Sequence, residues 1–295
     1  MVFLGLLLAC AVPAWAGPGA LVPWPPEVDY RPAGAEHRAN GPGAVLPEGD
    51  GLWLFAATSH ALWRLDAAGV VRERVPVEGF VHSLALGPDG GLAWVDLARR
   101  RVVEAARDGR VLRAWSLPAG VARVRRLIQF DGRLRLHTSF QETLTVPDSV
   151  GAPLRAWFAL RREGSWFSPA SPAVTVLATD GRVQLLLASP ASGLTAGAPV
   201  VRRVGLGLGE PLLAAEVLGP TPGGGWWLRI TLGSRDHARD EAVAVGSDGA
   251  VLLRTPLPAR GTLSWPDTLF VTADGGLIGL TPTDAGIVRR DWGRP

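Results

Sequence analysis

The chain has 295 residues, 47% of them hydrophobic and 19% charged, with 37 Gly and 25 Pro. That balance excludes a disordered or collagen-like chain and fits a packed globular protein, either one large all-β domain or two ordinary ones. The formal net charge is only +3, and the sequence pI of 10.2 is no mark of nucleic-acid binding. Every basic residue is Arg and none is Lys, so a small positive charge simply persists to high pH, and no basic stripe gathers on one segment.

Residues 1–16, MVFLGLLLACAVPAWA, are apolar from Val2 to Val12, break at Pro13 and end on Ala14-Trp15-Ala16. Small residues at the two cleavage-critical positions predict a secretory signal peptide removed before Gly17. The run is shorter than the roughly 20 residues a helix needs to span a bilayer. No basic residue precedes it. A second reading takes Leu7-Leu8-Ala9-Cys10 as a lipobox with Cys10 lipidated. Both readings predict export, to the periplasm or outside the cell, with no transmembrane segment. Under simple cleavage residues 17–295 contain no cysteine, so stability is expected from core burial alone.

Beyond residue 40 short Val-, Leu- and Trp-rich runs alternate with Asp-Gly and Gly-Gly turns, and no capped helical period interrupts them. The turn recurs in GDGLWLF (49–55), PDGGLAWV (88–95), FDGRLRLH (130–137), TDGRVQLLL (179–187), PGGGWWLRI (222–230) and ADGGLIGL (273–280). Anchored on Gly51, Gly90, Gly132, Gly181, Gly224 and Gly275, the spacings are 39, 42, 49, 43 and 51. A period of about 40–50 residues predicts a β-propeller, one four-stranded antiparallel blade per repeat and six blades in all. In each hairpin Asp-Gly is expected to supply the positive φ angles of a two-residue turn. The last copy runs one strand short, and a strand around EVDYRPAG (27–34) in the N-terminal segment 17–40 is expected to complete it. The whole of 17–295 is thus read as a single propeller domain.

Asp89, Gly90, Leu92, Val95 and Asp96, followed by Arg101, Val102, Val103, Asp108 and Gly109, resemble the repeats of NHL-type six-bladed propellers, clearly over residues 49–118. The resemblance implies a fold and leaves function open, because propellers host enzymes, adaptors and ligand binders alike. Six-bladed lactonases bind calcium through side chains that include Asn, whereas Asn40 is the single asparagine here. Regularity breaks at 147–172 and at the Gly-, Ala-, Ser- and Pro-rich stretch 189–210; long irregular rim loops favour binding.

His82 begins an innermost strand and Arg125 and Arg126 begin the next, so together they are candidates for a cationic channel mouth that holds a carboxylate or phosphate. Trp157, Trp166 and Trp265, in or near longer connections, are candidates for an aromatic rim. Trp53, Trp63, Trp94, Trp115, Trp226 and Trp227 fall within strands and are expected in the inter-blade core. Asp236, His237, Asp240 and Glu241 are metal-ligand types, but in a loop without metal-site spacing. No nucleophile elbow, Walker loop or dinucleotide fingerprint occurs. The expectation is an exported, non-catalytic binding or scaffold module with no cofactor, meeting an envelope protein, peptide or glycan on its loop face. The alternative is a lactonase- or lyase-type propeller enzyme with a divalent metal in the central channel.

Overall fold

A computed structural model describes residues 19–28, 41–119, 121, 124–130, 132–138, 143–152, 157, 166–168, 171–179, 182–188, 201–206, 208, 210–221, 223–234, 237–246, 248–257, 268–272 and 274–295. The expected signal peptide and Cys10 lie outside them, as does Trp265. Strands dominate, and the one helical element among the described residues is a 3-10 turn at Ala57–Ser59. No helix there is long and apolar enough to cross a membrane.

After β1 (Ala20–Pro23) come β2 (Val45–Glu48), β3 (Gly51–Ala56), β4 (Ala61–Leu65) and β5 (Val71–Pro76), which form one antiparallel sheet. A second contains β6 (Ser83–Leu86), β7 (Leu92–Asp96), β8 (Arg101–Ala105) and β9 (Val111–Ser116). The third has β10 (Val124–Phe130), β11 (Arg133–Thr138) and β12 (Thr143–Thr145), and the fourth β13 (Trp166–Ser168), β14 (Ser171–Thr179), β15 (Arg182–Ala188) and β16 (Val201–Leu206). The fifth holds β17 (Leu212–Pro220), β18 (Trp226–Leu232), β19 (Arg239–Val245) and β20 (Val251–Pro256). The last holds β21 (Leu269–Val271), β22 (Leu277–Thr283) and β23 (Gly286–Asp291), with β1 as its fourth strand.

This is a β-propeller of antiparallel blades, with five rather than six of them around the channel. Among the described residues the central cavity is lined from β2, β6, β10, β17 and β21, and from none of β13–β16. The physical reason lies in side-chain contacts between the third and fifth sheets: Arg125 and Arg126 reach Glu216, and Ile128 packs on the Trp226 cluster. Among the described residues the third sheet also has three strands where four were expected.

The strand that completes the last blade sits earlier than expected. Residues 20–23 pair with 286–289, whereas Glu27 lies in a turn and 29–34 fall outside the described residues. Val22 is the reason: it is buried with Val45, Leu52, Ile278 and Ile287 in the seam between the first and last blades, to which Val28 adds only a partly buried side chain. The six strand tryptophans expected in the core are all buried there.

Asp-Gly hairpins come in two kinds. Phe130 pairs with Arg133 and Thr179 with Arg182, the expected two-residue connections. Glu48 pairs with Gly51 across another two-residue turn, Gly49-Asp50. The remaining loops have three residues, as at 87–91, where the Gly87 N–H donates to the Gly91 carbonyl and the Gly90 N–H to that of Gly87. The same bonds recur at 66–70, 106–110, 221–225, 246–250 and 272–276. Such a loop needs a positive φ at Gly alone, 75° at Gly90. Asp stays right-handed, and Asp108 and Asp248 use Oδ1 to accept the N–H two residues on. The next glycine has a different task. A Cβ on Gly91 would strike the Ala105 carbonyl oxygen of the third strand, as one on Gly51 would strike Leu65 and one on Gly225 Val245. Gly51 therefore matches Gly91 and not Gly90, and the first anchor is one residue out of step.

Two alanine substitutions should separate these roles by urea unfolding. Gly90→Ala has open space around its Cβ and should cost only the left-handed penalty, about 1–2 kcal/mol. Gly91→Ala must push a strand away and should lose more, and equal losses would mean that one conformational cause serves both positions.

Candidate binding site at the channel mouth

The innermost strands run side by side in the same direction. His82 Nε2–H donates to the Val124 carbonyl at 2.9 Å, and Ser83 Oγ accepts the Leu127 N–H at 2.8 Å. A Cβ on Gly219 would meet Val271, which sets β17 against β21 at that level. These levels place Arg125 and Arg126, at the start of β10, and Glu216, midway along β17, on the same end of the channel as loops 78–82 and 117–121. Leu84, Ile128, Leu218 and Phe270 follow below, and Glu48, Gln129, Thr221 and Thr272 lie at the far end. The cavity has a volume of about 490 Å³.

The register of two inner strands is broken where charge is concentrated. β10 shifts between Val124 and Arg126, so Arg125 is an extra, bulged residue, while β17 shifts between Leu212 and Ala214 and again between Val217 and Gly219. β2, β6 and β21 pair without a shift. A bulge disturbs strict alternation and re-aims side chains. Consecutive arginines therefore reach one carboxylate: Arg125 Nη1 lies 3.2 Å and Arg126 Nη2 3.5 Å from Glu216. His137 Nε2 approaches the same carboxylate at 3.9 Å. Arg126, Arg135 and His137 are buried, whereas the Arg125 side chain is 35% exposed.

Burial pushes the Glu216 carboxyl up, but the charges of Arg126 and Arg125 outweigh it and hold it below the usual range. His137 moves the other way from a charged state. Burial first, then Arg126, depress its imidazole to about 3, against a weaker opposing pull from Glu216. His82 is also lowered by burial, partly offset by its bond to Val124. An ionised carboxylate, arginines and a neutral His137 can hold charge in place, but neither Glu216 nor His137 is matched to proton transfer near neutrality.

The structure brings His82, Arg125 and Arg126 together as neighbours, with the His82 ring tying the second blade to the third. Trp157 is buried in the core between those blades, 3% exposed, where its backbone carbonyl accepts the Thr145 N–H, so it is no rim residue. Trp166 starts β13 and its side chain is outside the description. Asp240 is held by Arg229 and Thr231, and Glu241 by Arg254 and Arg239, so these two carboxylates serve arginines. Among the described residues no group of three His, Cys, Asp or Glu could hold a metal ion. Arg135, His137 and Glu216 were missed by sequence reasoning. The signal for Arg135 and His137 was the alternation in RLRLHT (133–138), which puts both on a face that other blades keep apolar; Glu216 carries no such signal.

No family model and no curated protein matches the chain. Solved structures are similar in fold. A member of the DUF4221 family from Bacteroides vulgatus aligns at 10% identity and a TM-score of 0.52 over 94% of this chain and 96% of that one. A protein of unknown function from Bacteroides caccae aligns at 16% identity and 0.48, covering 74% and 82%. A gluconolactonase from Xanthomonas campestris aligns at 19% identity and 0.45, covering 95% and 98%. The first likeness shows the propeller fold and nothing of activity.

Proposed function

We propose that the chain is an exported, single-domain propeller, closed by its N-terminal strand, that acts as a non-catalytic binding or scaffold module. Its partner is an envelope protein, peptide or glycan met on the loop face. Export rests on the leader-like residues 1–16, and the NHL-type pattern of residues 49–118 supports the architecture. One observation carries the binding reading. The waist of the channel is aliphatic, and Glu216, in contact with the lining residue Arg126, is held by Arg125 and Arg126. The loop face also presents Phe80, 45% exposed, as an apolar contact point.

The test is plasma mass spectrometry of the purified mature protein, followed by crosslinking to envelope extract. A stoichiometric divalent metal would overturn this reading in favour of a lactonase- or lyase-type enzyme. Phe80→Asp should abolish a crosslinked partner while Phe80→Ala, which loses the same edge contact on buried Phe55, controls for the change in urea midpoint; a partner retained by Phe80→Asp would place the contact elsewhere.

The neutral His137 yields a second prediction. Its folded pKa, about 3, lies below the ordinary 6.5, so the unfolded chain binds the extra proton between those values. Its stabilising effect is complete above about pH 6.5 and is lost as pH falls toward the folded pKa. The slope is about 1.4 kcal/mol per pH unit for each such proton. Between pH 6.5 and 4.5, before most carboxylates titrate, urea stability should fall with pH, and His137→Gln should flatten the decline. A wild-type curve that is flat there would mean His137 takes up its proton while folded, and would reopen an acid–base role.

A further inference from the structure

Resting on the binding reading above, we infer that the central channel takes a small monocarboxylate with an aliphatic body. Its anionic end is held at the arginine mouth and its chain lies in the waist. A cavity of about 490 Å³ is in the size range of sites that enclose small molecules, about 300–1,000 Å³. Its wall is amphipathic along the axis. Leu46, Leu84, Ile128, Leu218 and Phe270 form the waist, with Arg126 at one end and Glu48 at the other. Glu48 is already bonded by Arg64, Arg107 and the Trp53 indole, so an anion is drawn to the opposite end.

At that end the bulges in β10 and β17 set the geometry. Arg126 lines the cavity at this end, and Arg125 beside it uses Nη1 toward Glu216 and keeps about a third of its side chain in solvent, which leaves other N–H donors of its planar fork exposed. Leu218, the bulged residue two positions past Glu216, lines the cavity below it. One strand thus supplies the carboxylate that orients both arginines and the aliphatic surface beneath them. Glu216 keeps its own negative charge close by, which favours a monoanion over a phosphate dianion. An aliphatic chain in the waist replaces water against leucine and isoleucine.

Calorimetric titration of the full mature chain with decanoate, decanol and acetate tests this. Decanoate should bind one to one and at least about tenfold more tightly than decanol, the difference a charge-assisted contact makes, and acetate should give no heat. Arg125→Gln should weaken decanoate about tenfold and leave decanol unchanged. Leu46→Trp, at a partly buried wall position, should fill the waist and abolish both. Near-ultraviolet circular dichroism checks that each variant is folded. No binding of decanoate, decanol binding as tightly, or an unchanged affinity in Arg125→Gln would overturn the inference. Should decanoate fail while the loop-face variant still loses its crosslinked partner, the channel inference falls and the binding-module reading stands.

Discussion

A four-stranded blade cannot bury both of its faces by itself, and everything else in this molecule follows from how neighbouring blades cover each other. Each apolar cluster joins neighbouring sheets, and the one around Trp226 takes Leu206 of the fourth sheet and Ile128 of the third. Trp53, Phe55 and Leu62 of the first blade meet Leu84, Leu92 and Trp94 of the second. Trp115 of the second meets Leu127, Leu134 and Leu136 of the third. Trp227 and Leu218 of the fifth sheet meet Leu269, Leu277 and Trp292 of the last. A tryptophan buries about 150–250 Å², so one or two per seam supply much of the area that holds adjacent blades in register. Inner strands aligned in this way leave a channel whose wall is whatever the seams do not use.

Against that background the contact between β10 and β17 stands apart. Two arginines and a histidine converge there on Glu216, where the other seams are filled by leucine, valine and tryptophan. Removing charges from water costs several kcal/mol per ion, and an apolar replacement of similar volume is often as stable or more so. Rigidity alone therefore does not account for the arrangement. It coincides with bulges on both strands, while the inner strands with apolar contacts are regular. Re-aimed side chains, a polar seam and an open channel mouth in one place form a consistent physical account of a recognition site.

Much of this was legible in the sequence because the signals are local. An Asp-Gly pair reports its own hairpin, and an alternating Trp-Leu run reports a buried strand, so the repeat and the tryptophan cores could be read from neighbouring residues. Two features were not local. The number of blades at the channel depends on β10 contacting β17 across the sheet between them in sequence, and nothing in residues 147–210 announces that contact. Glu216 sits in LLAAEVLG (212–219), where a lone acid in an apolar strand looks like a solvated position. Only its pairing with Arg125 and Arg126, some 90 residues earlier, gives it meaning. The bulges are equally silent, since a register shift has no residue signature in LLAAEVLG or VRRLIQF. The closing strand was placed a few residues late because ALVP (20–23) is too short to show alternation.

The arginine-only basic complement also makes sense as structural chemistry. A guanidinium is a planar fork that can pair with a carboxylate and lie over an aromatic ring, which a lysine ammonium does less well. Arg107 does both, resting 5.4 Å from the Trp53 ring centroid while bonding Glu48. Arg113 lies over Trp115 and bonds Glu104, and Arg74 lies over Trp63 and bonds Glu27. These residues therefore cover the polar edges of the tryptophan seams; Arg107 and Arg74 reach segments outside their own hairpin, while Arg113 and Glu104 are cross-strand partners within one. A high pI in such a chain reflects how its blades are finished, strand by strand, and tells little about an external polyanion. At the mouth of the channel Arg125 and Arg126 share the Glu216 carboxylate much as Arg239 and Arg254 share Glu241, and the difference is that one of the pair, Arg126, also lines the cavity.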